Sequence, residues 1–233
     1  MKRIARITAL LVATIALWSS PVLADSVFIG LAQGAAAPTT VAFSAGAATI
    51  TMPFGTFSNV HVSAQGQSTL TPPDLLFSDT IDTSSATAGI LHIFVTDLDL
   101  ISPLGAFSFF SSFTSNTLPN GWTLTTNTYF SPTNSLYRGT PLATHTFSTI
   151  GVDEETAQAP TQPGLYSVTE EFVINATGAG DSNDTIDLSA TTIPVPTPEP
   201  SSFALLLCGL FLLLLRRRVG KIEEVGIAEA AIR

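Results

Sequence analysis

The chain has 233 residues, with 9 basic and 18 acidic side chains, a formal net charge of −9 and charged residues at only 12%. At 45% hydrophobic residues it is too apolar for a disordered chain, and its acidity excludes a general nucleic-acid binder, which needs Lys and Arg against phosphate. The single cysteine, Cys208, allows no internal disulfide.

In chain order, the first element is a secretory signal peptide over residues 1–24. Lys2, Arg3 and Arg6 form a positive start, residues 7–18 are mostly apolar, and Pro21 breaks the helix. Val22, Leu23 and Ala24 then offer compact residues to a signal peptidase. Cleavage after Ala24 leaves Asp25 as the new first residue. The partners this implies are the Sec machinery and signal peptidase.

Residues 25–192 follow as an exported domain with no long helical period. Short runs rich in Val, Ile, Phe and Thr alternate with Gly, Pro, Asn and Ser turns, which predicts an all-β fold. Strands are expected at 27–31, 41–44, 48–52, 59–63, 90–96, 107–113, 122–127, 142–147 and 166–175, with a final edge at 185–188. Residues 34–37 and 156–164 read as surface loops, and Asp153, Glu154 and Glu155 read as part of a loop. Strands this short must bury their apolar faces against a second sheet. The expected architecture is therefore a β-sandwich, jelly-roll or Ig-like, with a Phe-rich core; a β-barrel is the alternative. Arg138 is the only basic residue in this segment, against fourteen acids.

Residues 193–200 form a linker with prolines at 194, 196, 198 and 200, which favour an extended strut. Ser201 or Ser202 can cap the helix that follows. Residues 203–215 are strictly apolar and end in Arg216, Arg217 and Arg218, so 201–218 is predicted as a transmembrane helix of marginal length with its arginines cytoplasmic. Residues 219–233 would be a short cytoplasmic tail.

Pro198-Glu199-Pro200, the apolar segment and the arginine cluster, in that order, resemble the PEP-CTERM sorting signal of Gram-negative bacteria. The resemblance covers roughly residues 194–218. It implies that the chain is a substrate of an exosortase-like membrane protease and is associated with extracellular polysaccharide. It also implies delivery to the cell surface or extracellular matrix after transient anchoring by the C-terminal helix. The family signal usually ends soon after its arginines, whereas this chain continues to Arg233.

Candidate chemistry in the exported domain is sparse. His61, His92 and His145 share no metal-ligand spacing, and no Gly-x-Ser-x-Gly elbow, phosphate loop or dinucleotide fingerprint occurs. Asp97 with Asp99, and the stretch Asp181 to Asp187, are the places where oxygen ligands for calcium could gather, although neither matches an EF-hand. Solvated surface acids are the simpler account, so no cofactor and no catalytic residue are assigned. Alternation sends Glu170 and Glu171 to opposite faces of a strand, with at least one expected in water. Trp122, Tyr129 and Tyr137 are the aromatics to watch for sugar stacking. The expected function is a surface or matrix-associated protein with a structural or adhesive role and no catalysis. The alternatives are a carbohydrate-binding module for extracellular polysaccharide and, behind it, a secreted hydrolase.

Overall fold

Alternating burial along twelve strands organises the described residues, 26–67, 77–159 and 164–192, of the computed structural model. The strands are β1 (Ser26–Gln33), β2 (Thr39–Ala45), β3 (Ala47–Phe54), β4 (Phe57–Gln65), β5 (Phe77–Ser85) and β6 (Gly89–Leu100). They continue with β7 (Phe107–Thr117), β8 (Thr123–Ser131), β9 (Thr140–Phe147), β10 (Gly151–Gln158), β11 (Tyr166–Ala176) and β12 (Gly180–Thr192). They form two six-stranded antiparallel sheets, ordered β2-β1-β6-β11-β8-β9 (sheet A) and β10-β7-β12-β5-β4-β3 (sheet B). The fold is an antiparallel two-sheet sandwich, in agreement with the sequence reading.

The inner faces follow from the period of two. Val27, Ile29 and Leu31 on β1 stand beside Leu91, Ile93 and Val95 on β6, and then Phe172 and Ile174 on β11, all buried. Sheet B answers with Val60 and Val62, Ile81, Ile186 and Leu188, and Phe109 and Phe113. Phe107, Phe109, Phe130 and Tyr166 form one aromatic cluster between the sheets, with neighbouring ring centroids 5.1 to 6.3 Å apart. Full burial of each such ring is worth roughly 1.5–3 kcal/mol, so this cluster is a principal tie between the sheets.

The edges of the sandwich are closed by chain crossings. Gly46 alone separates β2 in sheet A from β3 in sheet B, and its φ of 71° is a left-handed conformation that glycine adopts without steric cost. At the other edge, His145 of β9 meets Asp153 of β10 at 2.9 Å, and the Thr144 amide donates to Glu155 Oε2 at 3.1 Å. The compact unit that holds these strands ends at Ile193, so residues 26–192 carry their own core.

Three expectations are corrected. Residues 151–158, expected as loop through Asp153, Glu154 and Glu155, form edge strand β10. The segment 77–85, for which no strand was expected, forms β5. The expected final edge at 185–188 lies inside β12, which is central in sheet B between β7 and β5. Among the described residues no helix is long and apolar enough to cross a membrane. The signal peptide with Ala24 and Asp25, the linker with Pro198, Glu199 and Pro200, Cys208, the apolar segment with Arg216, Arg217 and Arg218, and the tail lie outside the described residues.

Candidate functional site on the outer face of sheet A

Strand pairing sets one outward row across the whole of sheet A: Thr40, Gly30, Phe94, Glu171, Asn127 and Thr144 are successive cross-strand neighbours. Glu171 is the centre of this row. Its carboxylate accepts from His92 Nδ1–H at 2.9 Å, from the Tyr129 hydroxyl at 2.6 Å and from Asn127 Nδ2–H at 3.2 Å. The Thr144 hydroxyl donates to Asn127 Oδ1 at 2.9 Å, which fixes the amide orientation. Burial pushes the Glu171 carboxyl up. The bonds from His92 and Tyr129, with the His92 ring and the Arg138 guanidinium nearby, outweigh that and hold it below the usual carboxylate range. The Tyr129 phenol is pushed well above its ordinary value, chiefly by burial and then by its bond to Glu171.

The loop at residues 132–139, between β8 and β9, lies over part of this face as a strap. It is tied down at several points. Asn134 and Asp99 exchange two hydrogen bonds, at 2.7 and 2.9 Å, and Ser167 donates to the Ser135 carbonyl at 2.8 Å. The Tyr137 amide donates to Thr96 Oγ1 at 3.2 Å, and the Tyr137 and Thr40 hydroxyls share a 2.5 Å bond. The Tyr137 ring lies directly on Gly30, where an added Cβ would come within 2.6 Å of its Cζ. A side chain at position 30 and this seat for the strap are therefore incompatible.

The strap ends in an unusual backbone. Tyr137 and Arg138 both have positive φ, 49° and 78°. A non-glycine residue in the left-handed region costs about 1–2 kcal/mol, and two in succession need anchoring of the kind just described. That conformation sets the Arg138 guanidinium over the Phe94 ring, 5.6 Å from its centroid, with Nη2 3.9 Å from Glu171 Oε1. The Arg138 side chain is 62% exposed, whereas that of Glu171 is 4% exposed. On the same face Phe28 and Phe43 stack at 5.6 Å, Phe43 being largely exposed.

Glu170, one residue earlier, faces the interior. It meets Asp79 of β5 across the sandwich, and both are fully buried. No N–H or hydroxyl among the described residues donates to either carboxyl. Burial pushes both well above the usual range; the charges of Asp79, Asp187 and Asp97 add to the rise at Glu170, and that of Asp187 adds to it at Asp79. Asp184, also buried, is pushed up to about 6, again chiefly by burial. Glu170 and Glu171 do point to opposite faces, but neither is exposed, contrary to expectation: one enters the core and the other lies beneath the strap.

The remaining sequence candidates are dispersed. Trp122 is buried against Phe57 in a T-shaped contact at 6.4 Å, so it offers no stacking surface. Tyr129 and Tyr137 are half-buried within the site. Of the histidines, His92 belongs to the site, His145 to the sandwich edge, and His61 bonds Thr51 at 2.7 Å on sheet B. The calcium-type stretches do not form loops of converging oxygens. Asp97 points inward while Asp99 bonds Asn134, and Asp181 and Asp184 occupy β12 with one exposed and one buried. Among the described residues no three His, Cys, Asp or Glu side chains stand close enough to hold a metal. Asn127, Phe94 and Arg138 were not singled out from sequence as site residues. Arg138 had a signal, being the lone base of an acidic domain; the other two had none.

No family model and no curated protein matches the chain. Solved structures resemble it weakly. The enzymatically active domain of bacteriophage CBA120 tailspike protein 4 is 14% identical over 64% of this chain and 19% of that one, with a TM-score of 0.36. TmCBM61, solved with β-1,4-galactotriose, is 12% identical over 60% of this chain and 92% of that one, TM-score 0.32. A glycoside hydrolase family 43 arabinoxylan arabinofuranohydrolase from Bacillus subtilis, solved with cellotetraose, is 15% identical over 68% and 30%, TM-score 0.27. This chain spans about a fifth of the tailspike chain. None of these likenesses carries a site residue or a ligand over to it.

Proposed function

We propose that residues 25–192 are an exported carbohydrate-binding module whose ligand lies on the outer face of sheet A around Glu171. The chain's ends serve delivery. The signal peptide takes the domain across the inner membrane, and the Pro-Glu-Pro, apolar and arginine segments hand it to an exosortase-like protease for the cell surface or matrix.

The observation that carries the binding reading is the saturated Glu171 carboxylate beneath an exposed guanidinium. Three side chains fix its position, and on the same face Thr40 and Thr144 are exposed hydroxyl-bearing residues and Phe43, stacked on Phe28, exposes an aromatic ring. A sugar presents hydroxyls to fixed polar groups and a C–H face to aromatic rings, and such a surface suits both. Binding without hydrolysis is the reading these residues favour. Glycoside cleavage uses two carboxyls roughly 5–9 Å apart, one of them protonated. The two carboxylates that β6, β11 and β8 turn toward this face and its strap, Asp99 and Glu171, already accept hydrogen bonds from the protein, and Glu171 is held ionised. A structural or adhesive role in a matrix follows from such binding rather than competing with it.

The test is titration of the purified domain against β-1,4-galactotriose, cellotetraose and an array of bacterial polysaccharides. Saturable binding that Tyr129→Phe weakens is expected. Absence of binding across the array overturns the reading. For sorting, the mature protein's C-terminal mass should show loss of residues beyond the Pro-Glu-Pro region; a cell-surface form that retains Arg233 overturns it.

A further inference from the structure

Arg138 is the only Lys or Arg between residues 7 and 215. It stands at the end of the strap, over Phe94 and beside Glu171. Three features separate it from an ordinary surface cation. Its backbone is held in the left-handed region, next to a second residue so held, by bonds that Thr96, Thr40 and Asp99 make to the strap. Its nearest carboxylate is no full partner: Glu171 Oε1 is 3.9 Å away and the Glu171 oxygens already accept from His92, Tyr129 and Asn127. Most of its fork of donors therefore faces solvent, above an aromatic ring, with 62% of the side chain exposed.

A guanidinium so arranged matches a planar anion, to which it donates two parallel hydrogen bonds. We infer that Arg138 is a specificity-determining residue that recognises a carboxylate on the glycan, so that the site selects uronic-acid sugars over their neutral counterparts. The inference rests on the carbohydrate-binding reading above and narrows it to one substrate class. Its contacts with the domain, cover for the Phe94 ring and a 3.9 Å approach to Glu171, do not use the guanidinium's paired donors. Asparagine tolerates a positive φ better than arginine does, so a purely structural position with φ of 78° would gain from asparagine.

The test compares cellotetraose with its C6-oxidised counterpart, β-1,4-tetraglucuronate, on the wild-type domain and on Arg138→Asn. Melting temperature is measured alongside. The wild type should prefer the acidic tetramer by about tenfold or more, the usual weight of a charge-assisted bidentate contact, and the preference should shrink as salt rises. Arg138→Asn should erase that preference while melting close to the wild-type temperature, the easier left-handed backbone offsetting the lost cover of Phe94. Arg138→Lys, which keeps charge but loses the fork, should retain only part of it. Equal affinity for the two tetramers, or a preference that survives Arg138→Asn, overturns the inference and leaves the carbohydrate-binding reading standing. A lower melting temperature with unchanged preference assigns Arg138 a structural role and also overturns it. Binding of neither tetramer, together with none across the polysaccharide array, overturns both.

Discussion

The interior pair Asp79 and Glu170 should make this domain most stable in mild acid. Both carboxyls are fully buried on facing sheets and meet each other without a donor from any other described residue. Two ionised carboxylates in that position would repel in a medium that screens poorly, so the folded state keeps at least one proton between them. The unfolded chain holds that proton only below its ordinary carboxyl range, near pH 4. The folded values are raised, so the stability is fully present below about pH 4 and is lost as pH rises toward the folded pKa. The slope is about 1.4 kcal/mol per pH unit for each proton retained. For a domain of this size that corresponds to a fall in Tm of roughly 3–6 °C per pH unit. Asp184, raised to about 6, adds to the slope in its lower part. The perturbation is the double substitution Asp79→Asn with Glu170→Gln, which replaces the shared proton with amide donors of similar shape. The assay is urea unfolding between pH 4 and pH 8, followed by the fluorescence of Trp122, the only tryptophan of the exported segment and a buried one. The wild type should lose stability across that range, and the double variant should keep only the Asp184 contribution. A wild-type profile that is flat or rising, or a double variant with the wild-type slope, refutes the reasoning.

Gly30→Ala should unseat the strap, because the new methyl would fall 2.6 Å from the Tyr137 ring; an overpacking cost of about 1–3 kcal/mol in urea unfolding and weaker glycan binding are expected together. His145→Asn should cost no more than about 1 kcal/mol in the same assay, since both it and Asp153 are about one-third exposed and solvent screens the pair.

The fold was legible where inner positions are apolar. Leu91, Ile93 and Val95 alternate with polar or outward residues, as a core strand must. It was illegible in β5, where Asp79, Thr83 and Ser85 are buried alongside Ile81, so that binary pattern and burial disagree. β10 carries three consecutive acids and pairs on one side only. Charge is tolerated at a sheet edge, where it discourages further pairing, so the same residues that suggested a loop suit that strand. The site was illegible for a different reason. His92, Tyr129, Asn127 and Glu171 come from three strands and Arg138 from a loop, and only the strand order of sheet A makes them neighbours. Spacing along the chain holds no trace of such a row.

Strand β11 ties the two parts of the molecule together through adjacent glutamates with opposite fates. Glu170 is protonation-prone because it faces the carboxyls of the interior; Glu171 is held ionised because it faces donors beneath the strap. A one-residue slip of β11 against β6 and β8 would exchange them, driving the ionised group into the core and pulling the protonated one out of it. The core's demand for a protonated acid and the site's demand for a charged one thus enforce the same register. The two demands can be separated by substitution. Glu170→Gln should flatten the pH dependence of unfolding and leave glycan affinity within twofold. Glu171→Gln should leave the alkaline loss of stability in place and weaken glycan binding by at least tenfold, because Tyr129, His92 and Asn127 lose the charge that orients them. Parallel effects of the two substitutions on both measurements would show that the faces of β11 are not independent, and that the assignment of one to stability and the other to recognition is wrong.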